Sequence, residues 1–171
     1  QSHSFGTSVD VLGDIVVVGD PEEGSGGVGV DPLPAGNAPS SGAVYLFEKN
    51  LGAWSHKHWF KAAQPDWSAM FGWSVSLDAG LLAVGSMNEG GESDEFGPGE
   101  GAAYVFGLTD GQWTQEARVQ GLNNEVNDNF GFTVAIRGAE LVVGAINEDG
   151  SGAGVNPPSD NAAEGAGAGY L

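Results

Sequence analysis

Oxygen-bearing side chains recur at one position in this sequence, directly after short apolar runs that end in glycine at Gly19, Gly85 and Gly144. The fourth residue after each glycine is a glutamate, and the third is a glutamate or an asparagine. These residues are Glu22, Glu23, Asn88, Glu89, Asn147 and Glu148. Hard cations such as Ca²⁺ take about six to eight oxygen ligands, from carboxylates, amides and main-chain carbonyls on flexible loops. The spacing therefore predicts a repeated cation-binding loop.

The segments that follow the glycines are themselves acidic and rich in glycine. Residues 20–42, 86–101 and 145–165 hold 13 of the 23 Asp and Glu residues and none of the five Lys and Arg residues. Asp31 and Asp149 join the candidate calcium ligands, and further oxygen donors are Glu92, Asp94, Glu95 and Asn156. We expect calcium in at least one loop. The alternative is that the acidic loops only keep a β-protein soluble.

The composition limits the classes of partner. A formal net charge of −18 disfavours nucleic acids and anionic lipid surfaces, because binding to phosphate depends on Lys and Arg. The absence of cysteine rules out disulfides, thiolate nucleophiles and Cys-ligated metal sites. No apolar run approaches the roughly 20 residues of a membrane-spanning helix. We therefore expect neither nucleic-acid binding nor membrane insertion.

Three copies of one unit fill the chain. Each copy begins with Phe-Gly, at Phe5, Phe71 and Phe130, and the strand-closing glycine follows each Phe after 14 residues. A Gly-Ala-x-Tyr or similar segment comes later in each copy, around Tyr45, Tyr104 and Tyr170. The constant spacing predicts a single repeat domain over 1–171, with units 5–70, 71–129 and 130–171.

The apolar runs of each unit have the character of β-strands. They are short, rich in Val, Ile and aromatic residues, and bounded by Gly, Asp and Asn. The first unit predicts four strands, at about 5–11, 14–20, 43–49 and 54–62, and its first two strands form a hairpin with a short turn. The pattern favours an all-β fold of β-propeller blades, about three four-stranded antiparallel units with the last incomplete. A β-solenoid is the competing architecture.

The Phe-Gly pair predicts the inner strand of a blade, with Phe packed between neighbouring blades and Gly permitting close backbone approach. Propellers have about four to eight blades, so three blades predict a segment of a larger propeller or assembly. Trp54 and Trp113 each stand nine residues after a repeat tyrosine, and they predict packing at an outer strand. His56 and His58 alternate with Lys57, which predicts that both histidines lie on one solvated strand face rather than in a metal site.

These repeats resemble the FG-GAP repeat of the N-terminal β-propeller of integrin alpha chains, and more closely the FG-GAP-like repeats of secreted bacterial surface proteins. The resemblance rests on Phe-Gly, on "VGDP", "VGSM" and "VGAI", and on Gly-Ala-x-Tyr-x-Phe. It implies an extracellular adhesion or interaction module. The integrin-type calcium loop, Asp-x-Asp-x-Asp-Gly between the first two strands, is replaced here by a tight turn. The calcium prediction therefore depends on the other loops.

The function expected from the sequence is a calcium-binding, extracellular module at the cell surface that contacts a protein or a glycan. The alternative is a structural protomer that polymerises with further copies of itself through open blade edges, into an extracellular fibre or surface layer. An enzyme is not expected, because there is no G-x-S-x-G motif, no cysteine nucleophile and only three histidines to act as a base.

Overall fold

The computed structural model describes residues 4–91, 98–152 and 160–171. These residues form strands and loops without any helix, so they contain no helix able to span a membrane. The strands are β1 (Ser8–Leu12), β2 (Ile15–Asp20), β3 (Gly29–Val30), β4 (Ala43–Asn50), β5 (Ala53–Lys61), β6 (Phe71–Asp78), β7 (Leu81–Ser86), β8 (Ala102–Thr109), β9 (Gln112–Val119), β10 (Phe130–Arg137), β11 (Glu140–Ala145) and β12 (Ala168–Tyr170).

The strands form three antiparallel sheets, one for each repeat unit. The strand orders are β1-β2-β4-β5-β3 in sheet one, β6-β7-β8-β9 in sheet two and β10-β11-β12 in sheet three. The predicted all-β class and blade-like units are confirmed. Sheet one has a fifth strand, because Gly29 and Val30 of the first acidic loop pair with Lys61 and Phe60 at its outer edge. Two residues inside a glycine-rich loop show no alternation, so the sequence pattern did not predict β3.

The two ends of each sheet differ in their connections. The β1–β2 turn consists of Gly13 and Asp14, because Leu12 pairs with Ile15, and the other hairpins turn as tightly. Every long connection leaves the opposite end of the sheets. We call this end the loop rim; it comprises the described residues of 21–42, 62–70, 87–101, 120–129 and 146–167. Three acidic loops thus share one side of the molecule.

The core lies between the sheets and is built from the repeat aromatics. Phe71 is fully buried, with its ring centroid 5.3 Å from that of Tyr104 and nearly perpendicular to it. Phe130 is also buried and lies 5.2 Å from Tyr170. Phe60 of sheet one meets the edge of Trp113 of sheet two at 5.6 Å. The predicted packing between neighbouring blades is confirmed for Phe71 and Phe130. It is wrong for Phe5, which is 54% exposed and contacts only rings of its own sheet, those of Tyr45 and Phe47.

A repeated contact, which we call the glycine clasp, joins adjacent sheets. The Ser8 hydroxyl donates to the carbonyl of Gly72 at 2.8 Å. A Cβ on the strand-closing Gly19 would lie only 2.0 Å from the same Gly72 oxygen. The second clasp uses Ser74, Gly85 and Gly131, with a hydroxyl distance of 2.9 Å and a Cβ clearance of 1.9 Å. The strand-closing glycines Gly19 and Gly85 are therefore required, because the backbones of the two adjacent sheets lie too close together for a side chain.

Candidate functional site: the acidic loop rim

The fourth-position glutamate of the second loop is a buried anchor. Glu89 has no exposed surface, and its Oε2 accepts a hydrogen bond from the Tyr104 hydroxyl at 2.6 Å. Its Oε1 accepts one from Nε of Arg118 at 2.7 Å. Burial raises the pKa of Glu89, while the bonds from Tyr104 and Arg118 oppose that rise. Both carboxylate oxygens are therefore engaged by donors from the third and fourth strands of the sheet.

Glu148 has the same arrangement in the third loop. It is 1% exposed and accepts from the Tyr170 hydroxyl at 2.9 Å. Its other oxygen accepts from the Asn123 side-chain amide and from the Gly150 main-chain N–H at 3.1 Å. Burial, followed by the hydrogen bond to Glu148, raises the pKa of Tyr170. A neutral amide thus occupies the place that Arg118 takes beside Glu89.

Glu23 of the first loop forms an ion pair with a lysine. The Nζ of Lys61 donates to its Oε2 at 2.5 Å, and that lysine is fully buried. Lys61 also donates to the Ser41 hydroxyl at 2.9 Å. Burial acts to raise the pKa of Glu23, but Lys61 and the bonds from Ser25 outweigh it and hold the pKa below its usual range. Burial lowers the pKa of Lys61, against the attraction of Glu23.

The main chain of the same glutamates closes each loop. A glycine just before the third strand of each unit has a positive φ and donates its N–H to the glutamate carbonyl. The pairs are Gly42 to Glu23 at 2.9 Å, Gly101 to Glu89 at 2.9 Å and Gly167 to Glu148 at 2.8 Å. The repeat of glutamate thus has a structural cause in all three units. Calcium binding by these glutamates stays a prediction.

The third-position asparagines tie each loop to the connection that precedes the inner strand. Asn88 donates to the Ser68 carbonyl at 3.0 Å, and its Oδ1 accepts from the Gly99 N–H at 2.7 Å. Asn147 donates to the Asn127 carbonyl at 3.0 Å. Glu22, at the same position of the first loop, is half-buried. The asparagine amides therefore brace the rim across neighbouring chain segments.

Asp31 holds the added strand β3 against sheet one. Its carboxylate contacts Nδ1 of His58 at 2.7 Å and accepts the Trp59 N–H at 3.0 Å. His56 instead packs against the rings of Tyr45 and Phe47. A β-bulge between Leu46 and Phe47 separates the two histidines. The prediction that they share one face is wrong, because one extra residue in a strand reverses the alternation of side chains.

A polar cleft of about 290 Å³ opens in the rim beside the third loop. Burial, together with the nearby carboxylates of Glu148 and Asp149, raises the pKa of Asp128 to about 6. Asp149 also accepts the Gly165 N–H at 2.6 Å. The side chains that line the cleft are Val126, Asn127, Asp128, Asn147, Asp149 and Glu164. The cleft thus combines three carboxylates with two amides.

The cleft brings together only two of the proposed ligands, Asn147 and Asp149. No sequence pattern singled out Asp128, because the residue at the matching position of the second unit is Ala69 and no repeat marks the position. Glu164 likewise has no counterpart at a fixed spacing. Within the described ranges, no group of three or more His, Asp or Glu side chains is arranged to hold a metal ion. Glu92, Asp94, Glu95 and Asn156 lie outside the described residues.

Comparison with known proteins places the chain in a family. No curated protein matches it. The FG-GAP repeat matches residues 54–106 and 113–170, which is well over half of the chain. Each matched segment starts in the last long strand of one sheet and ends in the third strand of the next. It therefore contains one Phe-Gly glycine, one strand-closing glycine and one acidic loop. The chain belongs to the FG-GAP repeat family, and its three sheets are β-propeller-type blades.

Proposed function

We propose that this chain is an extracellular β-propeller module that binds a protein or glycan partner through its loop rim, with calcium as a cofactor. One observation carries the proposal: three long loops lie on the same side of the sheets, and each is fixed by a glutamate whose side chain and carbonyl are both hydrogen-bonded. Loops held on a rigid scaffold are where binding surfaces usually lie. FG-GAP repeats are of a non-catalytic type, which favours binding over catalysis.

Calcium is the cofactor that suits the charge of this rim. Asp128, Asp149 and Glu164 line one cleft, and the acidic loops contain no Lys or Arg. The pKa of Asp128 is raised first by burial and then by the negative charge of Glu148 and Asp149, so part of the rise comes from neighbouring carboxylates that a cation would neutralise. The three carboxylates do not converge on one point, so a divalent cation would have to draw their side chains together. It would take further oxygens from the Asn127 and Asn147 amides, from carbonyls and from water. Binding would stiffen the third loop.

Thermal unfolding with calcium and with excess chelator tests the cofactor. A ligand at a thousand times its Kd stabilises the folded state by roughly 4 kcal/mol, which raises the Tm by several degrees in a domain of this size. The double variant Asp149→Asn/Glu164→Gln should lose most of that rise. Glu140→Gln is the matched control, because Glu140 is exposed at the opposite end of sheet three. An unchanged Tm, with no heat of calcium binding by calorimetry, contradicts a calcium site.

Partner binding is tested separately, with the whole chain on a glycan array and against extracellular proteins, in calcium and in chelator. We expect the amount of chain bound to the partner to fall when the cleft carboxylates are neutralised and to stay unchanged in Glu140→Gln. Retention that survives both chelator and the cleft variants would mean that binding occurs elsewhere on the molecule. That result would contradict the rim as the binding surface.

A second candidate function is a structural protomer that assembles with copies of itself. The observation in its favour is an exposed apolar surface on sheet one, where Phe5, Val9 and Val11 are 54%, 65% and 61% exposed. Monomeric proteins seldom leave several large apolar side chains together in water.

A further inference from the structure

We propose that this chain cleaves its own peptide bond between Asp31 and Pro32, with the Asp31 carboxylate as the nucleophile. The products are the fragments 1–31 and 32–171, which stay associated in the folded protein. This reaction is separate from binding at the loop rim and does not depend on it.

Asp31 has a main-chain conformation that disfavours a following proline. Its φ is +49°, in the left-handed region. Aspartate by itself tolerates this region better than most residues do, but the ring of the next proline restricts the residue before it to extended conformations. Among the eight described non-glycine residues with positive φ, Asp31 is the only one that precedes a proline. Backbone strain of this kind persists where contacts fix it, and it concentrates at functional sites.

Contacts on both sides of the bond hold Asp31 in this conformation. Its main-chain N–H donates to the Trp59 carbonyl at 2.9 Å, and its carboxylate accepts the Trp59 N–H at 3.0 Å. Nδ1 of His58 lies 2.7 Å from the other carboxylate oxygen. On the far side, the Pro32 ring packs against Gly27, where an added Cβ would lie 2.9 Å from the Pro32 Cβ. The strain therefore cannot relax without the loss of these contacts, whereas breaking the bond to Pro32 releases it.

The residue pair itself restricts the reaction. A main-chain nitrogen that carries a proton can attack the side chain of a preceding aspartate to form a succinimide, but Pro32 has no N–H and closes that route. The remaining route is attack by a carboxylate oxygen of Asp31 on its own carbonyl carbon. Each of these oxygens accepts one hydrogen bond and keeps a second lone pair for the attack. The nucleophile and the carbonyl belong to one residue, so no other element has to bring them together.

The cleavage consumes one water molecule and needs no other reactant. As the Asp31 oxygen bonds to the carbonyl carbon, the C–N bond to Pro32 breaks and its electron pair stays on the nitrogen. The nitrogen takes a proton from solvent and leaves as a secondary amine. Water then hydrolyses the cyclic anhydride, which leaves a side-chain and a main-chain carboxyl group on Asp31. The Asp31 side chain is 47% exposed, so water reaches it.

A second Asp–Pro bond in the same chain provides the comparison. Asp20 precedes Pro21 at the end of β2, where it has the conformation of a strand residue. Asp20 is only 3% exposed. The two bonds join the same residue types, but only the bond between Asp31 and Pro32 is both strained and open to water. We therefore expect the folded chain to cleave there and to preserve the bond at Asp20.

The cut does not separate the two fragments. Strands β2 and β3 lie in the first fragment and pair with β4 and β5 of the second. The Gly26 N–H also donates to the Ala35 carbonyl across the cut, at 2.5 Å. Cleavage creates an amino terminus at Pro32, in a loop that has no Lys or Arg, beside Leu33, which is 86% exposed. The first acidic loop thus gains an ammonium group and a main-chain carboxylate at the loop rim.

Mass spectrometry of the denatured full chain, after incubation at neutral pH in chelator, measures the cut without any influence of calcium. We expect two fragments whose masses add up to the chain plus one water. In the folded chain, cleavage after Asp31 should be at least about tenfold faster than cleavage after Asp20. In urea, which removes the strain and exposes both bonds, the two rates should be about equal. No cleavage, or equal rates in the folded chain, would overturn the proposal.

Replacing the nucleophile separates self-cleavage from the action of a protease. Asp31→Asn should stop the cut, and it preserves the fold because asparagine tolerates positive φ and its oxygen can still accept the Trp59 N–H. Asp110→Asn is the matched control, since Asp110 is an exposed aspartate with a φ of +53° that precedes a glycine. Cleavage in that control should be unchanged. A cut that persists in Asp31→Asn would come from a protease and would overturn self-cleavage.

Replacing His58 tests strain as the cause. His58→Ala removes one of the contacts that fix the Asp31 carboxylate, so the loop can relax and the cut after Asp31 should slow several-fold with the Tm little changed. His58→Asn, whose amide can still donate to that carboxylate, should retain most of the rate. An unchanged rate in His58→Ala would contradict strain as the cause, and none of these results bears on calcium or on the partner of the loop rim.

Discussion

The two contacts between neighbouring sheets share a backbone clasp but differ in how they are filled. Between sheets one and two, the apolar side chains of Phe60, Phe71, Phe106 and Trp113 form a continuous core. Between sheets two and three, the buried cluster is limited to small residues around Phe130, and an apolar cavity of about 490 Å³ adjoins it. The position that Trp113 fills in sheet two has no counterpart in the three strands of sheet three. The clasp therefore sets the spacing of the sheets, and the fourth strand supplies much of the apolar burial.

The largest expected effect comes from removing the repeat phenylalanine. Phe71→Ala should lower the free energy of unfolding by about 3–5 kcal/mol, because it leaves a cavity within a packed core. Phe130→Ala should cost clearly less free energy of unfolding, because one side of the buried Phe130 ring already faces a cavity and not packed side chains. Urea denaturation followed by circular dichroism measures both. Equal losses would show that the cavity beside Phe130 closes in solution.

The clasp glycines should give the next largest effect, and here the first two units should behave alike. Gly19→Ala and Gly85→Ala each place a methyl group about 2 Å from a carbonyl of the next sheet. Overpacking of this kind costs about 1–3 kcal/mol or more. Gly144→Ala is the matched control, since its Cβ would meet only Thr133. A loss at Gly144 as large as at Gly85 would contradict the clasp as the cause.

Replacing the two buried glutamates tests whether a charged hydrogen-bond partner adds to the stability of the fold. Glu89→Gln removes a charge that faces Arg118, whereas Glu148→Gln removes one that faces the Asn123 amide. Charge-assisted bonds contribute about 1.5–3 kcal/mol and neutral ones about 0.5–1.5 kcal/mol. We therefore expect Glu89→Gln to cost more, measured by urea unfolding in chelator at neutral pH. The reverse order would indicate that Glu148 has a role beyond holding the loop.

The smallest expected effect is a difference between the two sheet-to-sheet contacts in how stability depends on pH. Ala69 occupies at the first contact the position that Asp128 occupies at the second. Because the pKa of Asp128 is raised to about 6 in the folded protein, the folded state binds its proton more tightly than the unfolded state does. This group therefore lowers the stability as the pH rises from about 4 to about 6.

Replacing Asp128 isolates that contribution. Asp128→Asn should remove the fall between pH 4 and 6 without a change in overall fold, as followed by the Tm across that range. Calcium in the cleft should have the same flattening effect on the native chain, because it favours the carboxylate form. If the fall persists in Asp128→Asn, another carboxyl is responsible.

Much of the fold followed from local pattern. The Phe-Gly and Tyr repeats, the tight hairpins and the strands of each sheet were predictable, because alternation and turn residues act within a few positions of one another. The strand β3 was not, because residues 29–30 pair with residues 60–61, far along the chain. The bulge near Phe47 was not either, because it depends on the register that the two strands of the β4–β5 hairpin adopt, which their alternation does not show. The opposite faces of His56 and His58 follow from that bulge alone.

The candidate site divides in the same way. The sequence by itself determined that a glutamate recurs at one point of three acidic loops. Only the tertiary structure decided what each glutamate contacts: Lys61 lies 38 residues from Glu23, and Arg118 lies 29 residues from Glu89. A buried carboxylate needs a donor to offset its desolvation, and sheet register determines which distant donor reaches it. Repetition in the chain therefore revealed the constraint, and the pairing of strands supplied its physical cause.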